Sequence, residues 1–246
     1  MQGLTFHPYY AAVVNKYAQL PLKPLKITAK IINGVVTGVD NKIHLDSMLA
    51  WAVSKIYGSP EETAIIPLPL QCAWASEKGV PLWVSTPFEM KDAHSSFMYW
   101  HKRFPQYQVI KFCSKPNTST SSGRHKEYRV PMSVTVPNDG LMVAYCIGNT
   151  EEIAVLLEAI SGVGKKSGAG YGAINYWEIE EIKSNTLNVS NEFMPYFTEE
   201  ILKKRPVPIE YFIEVPKEAR MSLRSGWTPP YWDKKNHGKV ILSYDK

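Results

Sequence analysis

The order of secondary-structure signals along this chain predicts an α+β fold. Three observations carry the prediction. Leu25, Ile27, Ala29 and Ile31 alternate with Lys26, Thr28 and Lys30, the period-2 pattern of a half-buried strand. Ile153, Leu156, Leu157 and Ile160 fall at i, i+3, i+4 and i+7, the stripe of an amphipathic helix. A second β-rich run, residues 174–179, follows that helix across a loop holding five glycines in eleven residues, 162–172.

The elements follow in order. Phe6, His7, Pro8, Tyr9, Tyr10 and Tyr17 read as an aromatic, irregular opening with no assignable chemistry. After Pro21 and Pro24 comes the alternating strand. Asn33-Gly34 and Gly38-Val39-Asp40-Asn41 supply turns or a short hairpin. His44-Leu45-Asp46 leads into a helix that Asp46 or Ser47 can cap, with Leu49, Ala52, Val53 and Ile56 as the buried stripe and Gly58-Ser59-Pro60 as its stop. The runs 70–75 and 81–85 flank Glu77-Lys78-Gly79 as a hairpin. Residues 141–147 form a continuous apolar strand, and Asn149-Thr150-Glu151-Glu152 supplies an N-cap with acids in the first helical turn. The sequence β, α, β with a hairpin partner, insertion, β, α, glycine loop, β matches a ferredoxin-like, RRM-like βαββαβ domain over 1–184, with an insertion at about 88–137. Residues 185–246, rich in proline and aromatics, form a C-terminal extension expected to pack on that domain. Its aromatics either cover the sheet or offer a surface on which bases stack.

Charge is concentrated. Of 28 Lys/Arg and 23 Asp/Glu, the segment 101–130 holds seven of the basic residues and one acid, Glu127, which leaves the rest of the chain near neutral. A local basic segment on a neutral body is the electrostatic footprint of a polyanion partner. Phe97, Tyr99, Trp100, Phe104, Tyr107 and Tyr128 interleave with it and can stack on bases, with part of them packing beneath the insertion instead. The tract 114–123 is too polar to order alone and reads as the insertion's flexible tip. No apolar run reaches membrane-span length and the N-terminus lacks signal-peptide character, so a cytoplasmic protein is expected. Cys72, Cys113 and Cys146 are far apart, which indicates neither zinc nor disulfides.

The loop Gly162-Val163-Gly164-Lys165-Lys166-Ser167-Gly168-Ala169-Gly170-Tyr171-Gly172 can turn several N–H groups toward one anion, and its lysines add charge. It is not a Walker loop, because Gly164-Lys165 is followed by Lys166 and Ala159 stands where the first glycine belongs. Gly168-Ala169-Gly170-Tyr171-Gly172-Ala173 fits a dinucleotide pattern, yet it lies between a helix and a strand, the reverse of the order that motif requires. A tight turn with solvated lysines is the plainer alternative. Neither H-E-x-x-H, G-x-S-x-G nor a carboxylate cluster of metal spacing occurs. Six isolated histidines remain, of which His44 and His101 are the candidates for acid–base cleavage of RNA; capping or phosphate contact is the alternative role for each.

A glycine loop of this form, joining the last helix to the last strand of a ferredoxin-like domain, resembles the signature of the RAMP superfamily of CRISPR-associated proteins. Within it the chain is similar to the Cas-five type of subunit of type IV complexes. That likeness rests on His44-Leu45-Asp46-Ser47-Met48-Leu49-Ala50-Trp51-Ala52, the glycine loop, Arg205-Pro206-Val207-Pro208 and Trp227-Thr228-Pro229-Pro230-Tyr231-Trp232. The resemblance implies a noncatalytic subunit, without cofactor or metal, that caps the 5′ handle of the crRNA. It would contact a Cas-seven-type backbone subunit and a large subunit, and help recognise target DNA through a flanking motif. Gly164, Lys165, Lys166, Ser167, Gly168 and Gly170 would then hold handle phosphates, while His101, Lys102, Arg103, Arg124, Lys126 and Arg129 would clasp RNA or a neighbouring subunit. Two rivals share the loop: a metal-independent endoribonuclease that processes repeat RNA, and a stand-alone RNA-binding protein.

Overall fold

The computed structural model describes residues 4–37, 42–62, 64–103, 111, 119, 121–122, 126–183, 190–215 and 219–243. In chain order the main elements are α1 (Ala11–Ala18), β1 (Lys23–Ile31), β2 (Val35–Val36), α2 (Leu45–Tyr57), β3 (Cys72–Ala75), β4 (Pro81–Trp83), β5 (His94–Lys102), β6 (Tyr128–Val136), β7 (Leu141–Gly148), α3 (Thr150–Glu158), β8 (Ile174–Glu181), α4 (Ser190–Leu202), β9 (Val207–Pro208), β10 (Arg220–Gly226) and β11 (His237–Ser243).

The alternating run is the middle strand of the main sheet: β1 lies antiparallel to β7 on one side and β8 on the other. Its inward residues, Leu25, Ile27, Ala29 and Ile31, are buried with Leu49 and Val53 of α2 and Ile153, Leu156 and Leu157 of α3. Each such aliphatic side chain contributes about 1.5–3 kcal/mol by leaving water. Asn149 caps α3 as expected, its side-chain oxygen accepting from the Glu152 amide at 2.9 Å. The expected second core strand is an irregular edge beside β7: the Thr86 amide donates to the Tyr145 carbonyl at 2.8 Å, and Glu89 and Val143 exchange both main-chain bonds at 2.8 and 2.9 Å. The result is an RRM-like α+β sheet in which three strands are joined by two continuous ladders and the fourth place is held by single bridges.

Three local expectations are corrected. The opening is not irregular: a 3-10 turn at Pro8–Tyr10 runs into α1, with Tyr10, Val13 and Tyr17 buried. In α2, Ile56 is exposed and Leu45 and Ala50 complete the buried stripe. Neither Asp46 nor Ser47 occupies the cap position, which belongs to His44, and Asp46 is fully buried in the first turn. Cys72 and Cys146 are free thiols, half-buried and buried; Cys113 lies outside the described residues, as do Gly38–Asn41.

The insertion is a long hairpin. β5 and β6 pair without a slip from His94↔Val136 to Lys102↔Tyr128, and β2 joins the free edge of β6 through Val35↔Thr135 and Val36↔Val134. Residues opposite one another share a face, so the pairing sorts the hairpin into two faces. One carries Trp100, Met132, Val134 and Val136, which close a small core with Val36 and with Tyr171 of the glycine loop. The other carries Phe97, Tyr99, His101, Arg129 and Pro131, all exposed. Pro131 sits past the end of β2, where that edge of β6 has no ladder partner among the described residues, the position a strand proline requires.

The C-terminal extension covers part of the sheet and fastens itself to α2. Ile201 of α4 packs with Val84 and Ile147, and Phe197 meets the Tyr145 ring edge-on. The small sheet β10-β11-β9 and Trp227 bury against Val80 and Leu82 of the β3–β4 hairpin. At the seam stands Arg205, wholly buried. Its guanidinium donates to the Trp83 carbonyl at 2.7 Å, the Ser85 carbonyl at 3.2 Å, Ser85 Oγ at 3.0 Å, Asp46 Oδ2 at 2.8 Å and the Trp227 carbonyl. The Tyr231 hydroxyl lies 3.0 Å from the same guanidinium and donates toward both Asp46 oxygens, at 3.1 and 3.0 Å, and His44 stacks on the Tyr231 ring at 4.5 Å.

Candidate nucleic-acid interface

The glycine loop begins where α3 runs out, and its base is pinned on both sides. The Val163 amide donates to Gly172 O at 2.9 Å, Gly172 to Gly34 O at 2.9 Å, and Lys165 to Val36 O at 2.7 Å. Gly164 and Gly172 have positive φ, and a Cβ on them would lie 2.6 Å from the Val36 carbonyl and 2.2 Å from the Val163 carbonyl. Those two glycines are demanded by the fold itself. Between them Lys166 enters the left-handed region at φ 62, one 3-10 turn follows over Ser167–Ala169, and Gly170 reverses the chain at φ 90.

Not every expected amide is available to a ligand. Those of Lys165 and Gly170 are engaged internally, by Val36 and Ser167. The amides of Lys166, Ser167 and Gly168 meet no main-chain acceptor among the described residues. All six expected loop residues, Gly164, Lys165, Lys166, Ser167, Gly168 and Gly170, are exposed. Gly168 stands apart from Gly164 and Gly172, because its φ is ordinary and a Cβ there would touch nothing within 4 Å.

The structure brings loop and hairpin together. Lys166 Nζ sits 4.3 Å over the Trp100 ring, and the Tyr171 hydroxyl donates to Met98 Sδ at 3.6 Å. On the outer face of the hairpin the Arg129 guanidinium lies 3.6 Å from the Tyr99 ring centre, with the His101 ring 6.5 Å from Tyr99. Lys102 Nζ is 5.9 Å from the Tyr128 ring. His101, Lys102, Arg103, Lys126 and Arg129 are all exposed on this hairpin; Arg124, with Phe104 and Tyr107, lies outside the described residues, as does most of the 114–123 tract. Aromatic faces alternating with cations beside a lysine-bearing loop can hold a phosphodiester chain and stack its bases.

A cleft of about 560 Å³ separates the loop from α2, walled on one side by Gly164, Ser167 and Gly168 and on the other by Ser47, Trp51 and Lys55. Trp51, which the sequence offered only as part of a helix, is half exposed, and Lys55 Nζ rests 4.9 Å over its ring while donating to the Ala159 carbonyl at 2.8 Å. Its position one turn from Ser47 and Lys55 was the available signal. The two candidate histidines fall in different clusters, His44 against Tyr231 and His101 beside Tyr99. Among the described residues no group of three or more His, Cys, Asp or Glu could hold a metal ion, and no helix is long and apolar enough to cross a membrane.

A model of the family described as CRISPR type IV associated protein Csf3 matches residues 101–243. The chain belongs to this family. The match takes in the outer end of β5, β6, the glycine loop and nearly all of the C-terminal extension, so the type IV CRISPR resemblance stated from the sequence holds. Among solved structures, the chain is similar to one in the cryo-EM structure of the type III-B Cmr-beta bound to cognate target RNA, at 10% identity and a TM-score of 0.34 over 70% of this chain and 66% of that one. No curated protein matches.

Proposed function

We propose that this Csf3-family chain is a noncatalytic, guide-RNA-binding subunit of a type IV CRISPR ribonucleoprotein, and that it holds the 5′ handle of the crRNA. The observation that carries the reading is the contact between the lysine-bearing loop, whose Lys166, Ser167 and Gly168 amides meet no main-chain acceptor among the described residues, and a hairpin whose opposite face carries the exposed Phe97, Tyr99 and Arg129. Handle phosphates lie against Lys166, Ser167 and Gly168, with Lys165 and Lys166 as their counter-charge. Bases stack along Phe97 and Tyr99, and Arg129, Lys102, Arg103 and Lys126 follow the backbone. Contacts to a Cas-seven-type backbone subunit, a large subunit and target DNA belong to the same proposal through family membership, and base pairing by the guide reads the target sequence.

The test is binding of repeat-derived RNA across a salt series. Replacing Lys165 and Lys166 together by alanine weakens affinity and flattens the log–log salt dependence by about 1.4, the share of two phosphates on a single strand. An unchanged slope removes the loop from the interface. The same incubation leaves the RNA intact; specific cleavage abolished by His44→Ala or His101→Ala would replace this reading with that of a processing nuclease.

A further inference from the structure

We infer that the cleft between α2 and the glycine loop is a nucleotide pocket in which one base of the bound RNA is turned out of the strand and stacked on Trp51. The inference rests on the RNA-binding reading and adds a subsite to it. Two independent observations point into the same space. Gly168 has no side chain although neither its φ nor any neighbour forbids one, which leaves its backbone open to close approach from the cleft side. Across the cleft, Trp51 keeps 53% of its surface exposed, although Leu45, Leu49 and Val53 of the same helix are buried.

Size and charge fit a nucleotide. The volume of about 560 Å³ lies within the range of small-ligand pockets. The floor is apolar, formed by Ile160 and Val163, while Ser47 and Ser167 offer hydroxyls at opposite walls for a base edge. A phosphate held at the Ser167 and Gly168 amides places its own sugar and base at the mouth of this cleft, because those residues form its wall. Lys55 is held over the indole by the Ala159 carbonyl, so the ring is already braced before a base arrives. Stacking on an indole is tolerant of base identity, and the two hydroxyls supply what preference there is.

The experiment uses the full chain and short single-stranded RNAs of mixed sequence carrying 5-iodouridine, with photo-crosslinks mapped by mass spectrometry and affinities measured in parallel. A crosslink to the α2 peptide containing Trp51 is expected. Trp51→Ala should weaken RNA binding about ten-fold while Trp51→Phe stays within about three-fold of the parent, as loss and retention of one stacked base require. Thermal melting checks that both variants fold, and the crosslink is read on the unaltered protein. Crosslinks confined to the hairpin, or RNA affinity unchanged in Trp51→Ala, overturn the pocket; so does loss of a protein subunit from the assembly with RNA affinity intact. Lys165→Ala with Lys166→Ala separates the two levels. If that pair weakens binding and Trp51→Ala does not, the pocket is wrong and the RNA-binding reading stands; if neither does, both fall.

Discussion

Arg205 shows how much a single side chain organises here. It is fully buried, and burial alone would make its proton easier to lose; Asp46 and Tyr231 reverse that and raise its pKa above the ordinary value. Asp46→Ala leaves the guanidinium charged without its counter-ion, and the expected loss is about 3–5 kcal/mol by denaturant unfolding. Arg205→Lys should not rescue the seam, because a single ammonium cannot replace a planar fork that reaches the segment from Trp83 to Ser85, α2 and Trp227 at once. A loss below about 1 kcal/mol in Asp46→Ala would show that the pair is not load-sharing. Glycines separate in the same way by position. Gly172→Ala forces a Cβ into positive φ, at about 1–2 kcal/mol from backbone strain alone, before the clash with Val163 O is relieved. Gly168→Ala meets no such obstacle, so it should keep the melting temperature and lower RNA affinity. Equal melting temperatures with equal affinity would mean that the loop's open side faces no ligand.

At the scale of elements, the strands of the main sheet were legible because period-2 alternation and an Asn N-cap are local signals. The hairpin β5–β6 was not. Ser95-Ser96-Phe97-Met98-Tyr99-Trp100 is apolar on both faces and lacks alternation, so its strand character depends on Val36 and Tyr171, which reach it from elsewhere in the chain. α1 was missed for the opposite reason: two turns of helix give too short a pattern, and Tyr9 and Tyr10 find their partners 48 residues away, at the carbonyls of Tyr57 and Gly58 that end α2. Of the candidate site, the loop and the basic residues were readable from composition, whereas Trp51 and the Asp46–Arg205–Tyr231 seam emerge only when three distant motifs converge. The small core beneath the hairpin is separate from the main one, which gives an element-scale expectation. Met132→Ala removes a side chain buried there, at a cost in the range of about 2–5 kcal/mol for such truncations. Because that core is a satellite, the effect should be local: amides of β5 and β6 exchange faster while those of β1 and β7 keep their protection. Uniform loss of protection would show instead that hairpin and sheet unfold as one unit.

Across the whole molecule, five weakly acidic thiols and phenols are wholly or partly buried: Cys146 in the main sheet, Cys72 in β3, Tyr10 and Tyr17 at the N-terminal helix, and Tyr231 at the seam with the extension. Burial raises the pKa of each above its ordinary value. The protonated forms are therefore the ones that fold. Their contribution is complete below the unfolded pKa and is lost as pH rises toward the folded one. The unfolded chain gives up its thiol protons near pH 8.5 and its phenolic protons near pH 10, so stability should be level through neutrality, bend downward from about pH 8.5 and steepen above about pH 10. Each group that stays protonated in the fold while ionised in the unfolded chain contributes a slope of about 1.4 kcal/mol per pH unit. Denaturant midpoints taken across this range test the expectation. Cys146→Ala should reduce the lower bend, to which Cys72 also contributes, and Tyr231→Phe should soften the upper one, each judged by slope rather than by absolute stability, since both also remove packing or hydrogen bonds. The assignment of groups to places adds a further reading. If the extension parts from the sheet before global unfolding, the Tyr231 share of the alkaline slope moves into an earlier transition while the Cys146 share stays in the later one. A single transition carrying both slopes would mean that Arg205 binds extension and sheet into one cooperative unit, and a flat profile up to pH 11 would contradict the burial of these groups.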